Sequence, residues 1–342
     1  MGKIRVLVVE DSLMFQELLV RNLNKNPDIQ VVATARDPFE ARDAIIAYKP
    51  DVMTLDVELP KMSGIEFLQR LMPQYPMPVV VISALNDRVF EALNAGAVDF
   101  VAKPVTNQRE QVERFICYDL PDKIRTAAVA HVGTKKIASP AGHSSLQNGH
   151  LGNLVVAIGA STGGTEAISS VIREFDEDFP GVVVVQHMPA GFTQMYANRL
   201  NEQCRMLVKE ARTGDVVMPG QVLIAPGGDA HMELVKVNGN YQVVCKRGNK
   251  VNGHCPSVDV LFRSVAAVAG KQALGIILTG MGGDGAKGLL EMKMAGAKTI
   301  GQDESTCVVY GMPKVAYDIG AVDYREKLID IPKRTYQLLN KM

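Results

Sequence analysis

The chain of 342 residues has no tryptophan, and aromatic residues make up only 6% of it. Proteins that grip single-stranded nucleic acid stack bases on aromatic platforms, so that mode of binding has little to build on here. Charge of one sign is also missing: Lys and Arg number 37, and so do Asp and Glu. Such a balance offers no broad field toward nucleic acid or an anionic membrane. No uninterrupted apolar stretch approaches the roughly 20 residues that span a bilayer. The short run Val6 to Val9 is closed by Glu10 and Asp11, with no secretory pattern around it. Five cysteines (Cys117, Cys204, Cys245, Cys255, Cys307) include no C-x-x-C pair. Their odd number and wide spacing suit free thiols in a reducing compartment. These absences predict a soluble, cytoplasmic protein with no nucleic-acid partner and no membrane insertion, and the chain is expected to be a monomer.

What is present is an apolar content of 47%, enough for substantial cores, in a chain whose length suits about two domains. The first part alternates strand-like and helix-like segments. Strands read at Ile4–Val9, Val31–Ala35, Val52–Leu55, Val79–Ile82 and Asp99–Ala102. Leu18, Leu19 and Leu23 share a helical face after Phe15. This rhythm predicts a parallel sheet covered by helices. From Lys123 to Gly149 there is no Asp or Glu, and the end of that stretch is rich in Ser, Pro, Gly and His. It reads as a linker, helical at first and mobile later. The expected division is therefore 1–122, a linker over 123–151, and 152–342. The last part resumes strand–helix units at Leu154, broken by a hairpin of His231–Val237 and Tyr241–Lys246 around Asn238-Gly239-Asn240.

Oxygen-bearing or basic residues stand at four strand ends in the first part. Glu10 and Asp11 follow the first strand, Asp56 ends the third, Ser83 the fourth, and Lys103-Pro104 follows the fifth. In an open parallel sheet such positions converge on one crevice. Three carboxylates there suit a hard cation such as Mg²⁺. Asp56 could attack phosphorus, Lys103 could offset phosphoryl charge, and Ser83 could hydrogen-bond the phosphoryl group.

On these residues, the segment over roughly residues 3–120 resembles the response-regulator receiver domain. The resemblance implies a flavodoxin-like, doubly wound parallel sheet, phosphorylation of Asp56 by a histidine kinase, and a cis Lys103–Pro104 peptide. The stretch from Asn86 to Gly96 departs from the pattern, being shorter than usual by about one helical turn.

The last part carries a different chemistry. The hydrophobic run Leu154 to Ile158 enters the turn Gly159-Ala-Ser161-Thr-Gly163-Gly164. A strand-to-helix turn with small neighbours exposes a hydroxyl and aims helix N–H groups at what binds there. His187 ends the strand Val182–Gln186, and Asp284 sits in a second Gly-rich turn after Ile276–Thr279. Acyl transfer needs a nucleophile, a base, a group that orients the base, and donors for the oxyanion. Ser161, His187 and Asp284 supply the first three, and the turn at Met281-Gly282-Gly283 can present a backbone N–H. An α/β-hydrolase of ordinary order is excluded, because no His follows Asp284. A dinucleotide site wants Gly where Ser161 stands. Zinc finds no ligand-spaced pair among His187, His231 and His254. His231 and His254 read as structural or cleft-lining, and Ser257 and Asp259 as the start of a helix.

From about Leu154 to Val322 the chain resembles the catalytic domain of the chemotaxis protein-glutamate methylesterase/protein-glutamine deamidase family. The stretches that carry it are Ile158–Ala167, Gln186–Thr193, Ile224–Gly227, His231–Glu233, Pro256–Phe262 and Leu278–Gly285. The resemblance implies that Ser161, His187 and Asp284 form a triad, and that Thr162 and the Met281 backbone lie beside the reacting carbonyl. It implies a Rossmann-like α/β hydrolase domain with a mostly parallel sheet and a β-hairpin. It needs no cofactor at the hydrolase site, with Mg²⁺ at the phosphorylation site. Chemoreceptors would be the substrates and a chemotaxis histidine kinase the phosphodonor. Phosphorylation of Asp56 is expected to relieve inhibition of the hydrolase. The competing expectation is a response regulator whose second domain only binds a partner or a nucleotide.

Overall fold

The computed structural model describes residues 2–84, 88–104, 108–133 and 153–342. The chain divides into two units, Met1–Lys136 and Ile137–Met342. Among the described residues no helix is long and apolar enough to cross a membrane.

The first unit runs β1 (Ile4–Val9), α1 (Leu13–Leu23), β2 (Ile29–Ala35), α2 (Pro38–Tyr48), β3 (Val52–Asp56), α3 (Gly64–Leu71), β4 (Val79–Ser83), α4 (Arg88–Asn94) and β5 (Asp99–Ala102). The strands pair in parallel in the order β2-β1-β3-β4-β5. Val6 to Val9 and Val79 to Ile82 are buried, as strands covered on both faces must be. The helices begin where side chains can take up their first N–H groups. Ser12 accepts from Phe15, Asp37 from Phe39 and Glu40, and Ser63 from Glu66. Strand order reverses between β1 and β3, which opens a crevice at their carboxyl ends.

A last helix closes this unit. α5 (Arg109–Arg114) passes through a π-helical turn (Phe115–Asp119) into α6 (Leu120–Ala128). Phe115, Ile116, Leu120, Ile124 and Ala127 are buried. Lys123 pairs with Asp99 and Arg125 with Asp28, each at 2.7 Å. Residues 123–128 therefore complete the core of the first unit, because their apolar side chains have a place in it. The rest of the expected linker from residue 134, and residues 86–87 of the short stretch, lie outside the described residues. The one cis peptide among the described residues is Cys255–Pro256, so the implied cis bond at Lys103–Pro104 is not formed.

The second unit runs β6 (Val155–Ala160), α7 (Gly164–Ile172), β7 (Gly181–Gln186), α8 (Phe192–Gln203), β8 (Leu207–Glu210), β9 (Gln221–Ile224), β10 (Ala230–Val237), β11 (Asn240–Arg247), α9 (Val258–Ala269), β12 (Ala273–Ile277), α10 (Ala286–Met294), β13 (Lys298–Gln302), α11 (Met312–Asp318), β14 (Tyr324–Glu326) and α12 (Ile331–Leu339). Seven of these strands form one sheet, β14-β13-β12-β6-β7-β9-β8, in which every pairing is parallel. The hairpin β10–β11 stands apart from it, closed by Asn238 and Gly239 with φ of 49° and 87°. β6 is central, flanked by β7, which follows it, and by β12, which returns much later in the chain.

α9 lies across β6 with Val258, Leu261, Phe262 and Val265 fully buried. A Cβ on Gly159 would stand 2.2 Å from Val258 Cγ1. Valine is stiff at χ1 and cannot swing clear. Gly159→Ala is therefore expected to destabilise the second unit by about 1–3 kcal/mol, read as a lowered melting temperature. An unchanged melting temperature would show that α9 has room to move.

Candidate active site

Ser161, His187 and Asp284 follow β6, β7 and β12, three neighbouring strands of the second sheet. Parallel pairing brings all three strand ends to the same edge, the crevice where open α/β sheets bind ligands. The main chain around Ser161 is held on every side. Its N–H donates to Thr279 O at 3.0 Å, and its carbonyl accepts from Gly164 N–H at 2.7 Å and Gln186 Nε2 at 2.9 Å. Ser161 is 7% exposed.

The ring of His187 donates through Nε2 to Asp284 Oδ2 at 2.8 Å. Asp284 is 1% exposed, yet it meets an unusual number of donors. Oδ1 accepts from Ser257 Oγ at 2.7 Å, Asn252 Nδ2 at 2.8 Å and Asp259 N–H at 3.3 Å. Oδ2 also accepts from Val258 N–H at 2.7 Å. Val258 and Asp259 open α9, so Asp284 takes up orphan donors of a helix N-terminus and sits at its positive end. Burial alone pushes this carboxyl up. The hydrogen bond and charge of His187, with the bonds from Asn252 and Ser257, outweigh it and hold Asp284 below the usual carboxylate range. An ionised Asp284 can only accept, so the proton between the two groups belongs to His187 Nε2. That leaves Nδ1 as the basic nitrogen. Nδ1 is buried and has no hydrogen-bond partner among the described residues.

Thr162 is 3% exposed, and Thr279 Oγ1 lies 3.0 Å from its carbonyl. Met281 is 44% exposed, and its N–H donates to no group among the described residues. Residues 307–312 support the turn, with Gly311 and Met312 both donating to Gly280 O.

The first unit brings together the other predicted set. Lys103 Nζ lies 2.6 Å from Asp56 Oδ2 and 3.0 Å from Glu10 Oε2. Ligand oxygens of Glu10, Asp11 and Asp56 all fall within 4.8 Å of one another. Burial and then the charge of Asp56 push the Glu10 carboxyl up to about 7, against the opposing pull of Lys103. Ser83 is buried at the end of β4, its carbonyl accepting from Lys103 N–H at 2.7 Å. Three oxygen donors that repel each other are a set that a hard divalent cation satisfies.

The CheB methylesterase family matches residues 156–335, and the response regulator receiver domain matches residues 6–114. A protein from Syntrophomonas wolfei, protein-glutamate methylesterase/protein-glutamine glutaminase 2, is 59% identical over 99% of both chains. A protein-glutamate methylesterase/protein-glutamine glutaminase from Salmonella typhi is 47% identical over 100% of this chain and 98% of its own. The crystal structure of the Thermotoga maritima CheB methylesterase catalytic domain is 40% identical with a TM-score of 0.53, covering 54% of this chain and 98% of that one. The chain belongs to the protein-glutamate methylesterase/protein-glutamine glutaminase family.

Within this methylesterase, Ser257 and Asp259 have roles that their types did not suggest, while His231 and His254 are structural and site-lining as expected. Ser257 stands before α9, but its hydroxyl serves Asp284 rather than capping the helix. Asp259 is buried, with Oδ1 accepting from Gly288 N–H at 2.7 Å. His231 is structural: Nδ1 accepts from Ser257 N–H and Nε2 donates to Asn249 O. His254 stacks on His187, with ring centroids 3.7 Å apart and planes 10° from parallel. Cys255 next to it is half-buried, and burial pushes its thiol up.

Proposed function

We propose that Ser161 is the nucleophile, His187 the general base and Asp284 the group that orients His187. The reaction is hydrolysis of glutamate γ-methyl esters, and of certain glutamine amides, on chemoreceptors. The observation that carries this reading is the buried 2.8 Å bond from His187 Nε2 to Asp284, which leaves Nδ1 as an unpartnered base one strand from Ser161. Ser161 Oγ bonds to the ester carbon as its proton passes to Nδ1, and the carbonyl electrons move onto oxygen. The Met281 N–H and the turn at Thr162 supply donors to that oxyanion. His187 then returns the proton to the departing methoxide, which leaves as methanol. Water, deprotonated by Nδ1, cleaves the acyl-enzyme to glutamate and restores Ser161. With a glutamine substrate the leaving group is ammonia.

In the first unit, Asp56 is the phosphoryl acceptor from a chemotaxis histidine kinase. Glu10, Asp11 and Asp56 would hold Mg²⁺, which supplies positive charge against the phosphoryl oxygens. Lys103 and Ser83 are placed to follow the phosphoryl group once it is present. Added charge at Asp56 relieves inhibition of the hydrolase.

Methanol release from methylated receptor membranes tests both halves. A small acyl-phosphate donor with Mg²⁺ should raise the rate of the full chain by up to about tenfold, equivalent to about 1.4 kcal/mol. Asp56→Asn should not respond. A fragment beginning at residue 153 should be active without a donor. Equal rates in all three preparations would sink the regulatory half and leave the triad standing. No methanol from any preparation would sink the hydrolase.

A further inference from the structure

A four-residue turn behind the His187–Asp284 pair has no role in the steps above. Val251 N–H donates to His254 O at 3.0 Å, and His254 N–H donates to Val251 O at 2.9 Å. Between them Asn252 and Gly253 have φ of 51° and 84°. Positive φ at both central positions is the type I′ turn, for which Asn-Gly is a preferred pair. Its shape is therefore set by local sequence.

The turn reaches the catalytic pair at two points. Asn252 Nδ2 donates to Asp284 Oδ1 at 2.8 Å and to Asp259 Oδ2 at 2.7 Å. An amide NH₂ carries two hydrogens, so it can make both bonds at once. One neutral group thus bridges two buried carboxylates. Asp259 is itself anchored, by Gly288 N–H and by Arg263, whose guanidinium lies 3.7 Å from Oδ2. Two residues further on, His254 covers a face of His187.

We infer that the turn Val251–His254 is a positioning clamp, in which Asn252 sets the Asp284 carboxylate and His254 sets the plane of the His187 ring. The inference rests on the triad reading above. A ring held at Nε2 alone can swing about that one bond, and Nδ1 swings with it. A parallel ring 3.7 Å away blocks the swing. Without the amide, the Asp259 and Asp284 carboxylates lose the donor they share, and the charge of one acts on the other.

The test uses the full chain and methylated receptor membranes. Asn252→Gly removes the amide yet tolerates positive φ. Asn252→Asp keeps the shape and replaces the donor by a third carboxylate. Misplacement of a catalytic group should lower kcat by about tenfold in Asn252→Gly and up to about 100-fold in Asn252→Asp, with KM within about twofold. His254→Ala should lose about tenfold in kcat, and His254→Phe, which keeps a flat ring, should recover most of it. The far-downfield proton resonance of the His187–Asp284 bond should weaken or move in Asn252→Gly at an unchanged melting temperature. Full kcat in both Asn252 variants would overturn the clamp. So would losses that follow melting temperature with the resonance unmoved, or a His254→Phe no better than His254→Ala. Activity in Ser161→Ala would instead overturn the triad. An inactive Ser161→Ala beside fully active Asn252 variants would overturn the clamp alone.

Discussion

Ser161→Ala is expected to cut methanol release by at least about 100-fold while the protein melts at its usual temperature. The hydroxyl hydrogen-bonds to no described residue, so its loss strips nothing from the fold. The bonds that hold the turn run through the Ser161 main chain to Thr279, Gly164 and Gln186, and alanine keeps them all. No other hydroxyl of the turn follows the strand end as Ser161 does. His187→Ala should lose a similar amount, and the double variant should be little worse than either single. Such residues act on one proton and one bond, so removing the second partner takes away nothing further. Losses that add would mean that Ser161 and His187 serve separate steps.

Asp284→Asn is expected to cost about 10³- to 10⁴-fold in kcat/KM. The amide can turn its NH₂ toward Nε2. Nε2 must then accept, the ring proton moves to Nδ1, and the nitrogen needed as a base becomes a donor. Asparagine also offers one acceptor oxygen where the carboxylate uses two to meet His187, Ser257, Asn252 and the first N–H groups of α9. Stability should fall as well, with a defined pH dependence. The folded-state value of Asp284 is depressed, because its hydrogen bonds and the His187 charge outweigh burial. Its contribution is therefore complete above the ordinary Asp value of about 3.9 and is lost as pH falls through the lower folded value. Acid-unfolding curves of the native chain and Asp284→Asn should differ most near neutrality and converge at low pH. A variant with near-native rate would remove Asp284 from the mechanism.

Both candidate sites were legible in the sequence for one reason. Buried parallel strands are continuous apolar runs, and the residue after such a run falls on the crevice edge of the sheet. That places Glu10, Asp56 and Lys103 in one unit, and Ser161, His187 and Asp284 in the other, before any contact is known. The surroundings of Asp284 were not legible. Its donors come from a tight turn, a residue that looked like an ordinary helix cap, and two main-chain N–H groups, none of which has a side-chain signature for this task. Asn252-Gly253 was visible as a turn pair, but nothing local tells that its amide meets two carboxylates. The choice of Nε2 for Asp284 is likewise a matter of ring placement. Residues 123–128 read as linker because the stretch they open has no acid and little apolar periodicity, whereas Ile124 and Ala127 decide where they pack.

The position of β12 beside β6 also governs the order in which the molecule comes into being. β6 and β7 leave the ribosome early in the second unit, but the strand that carries Asp284 into place follows a hairpin and a long helix. Pairing it with β6 closes a large loop of chain, and contacts of that range form slowly. The first unit is contiguous, is made first, and its sheet needs nothing that comes later. Domains emerging from the ribosome fold as units from the N-terminus. A newborn chain of this protein therefore has the Glu10–Asp56–Lys103 cluster assembled before Asp284 can reach His187, and a polypeptide stopped short of β12 holds the first of these clusters without the second.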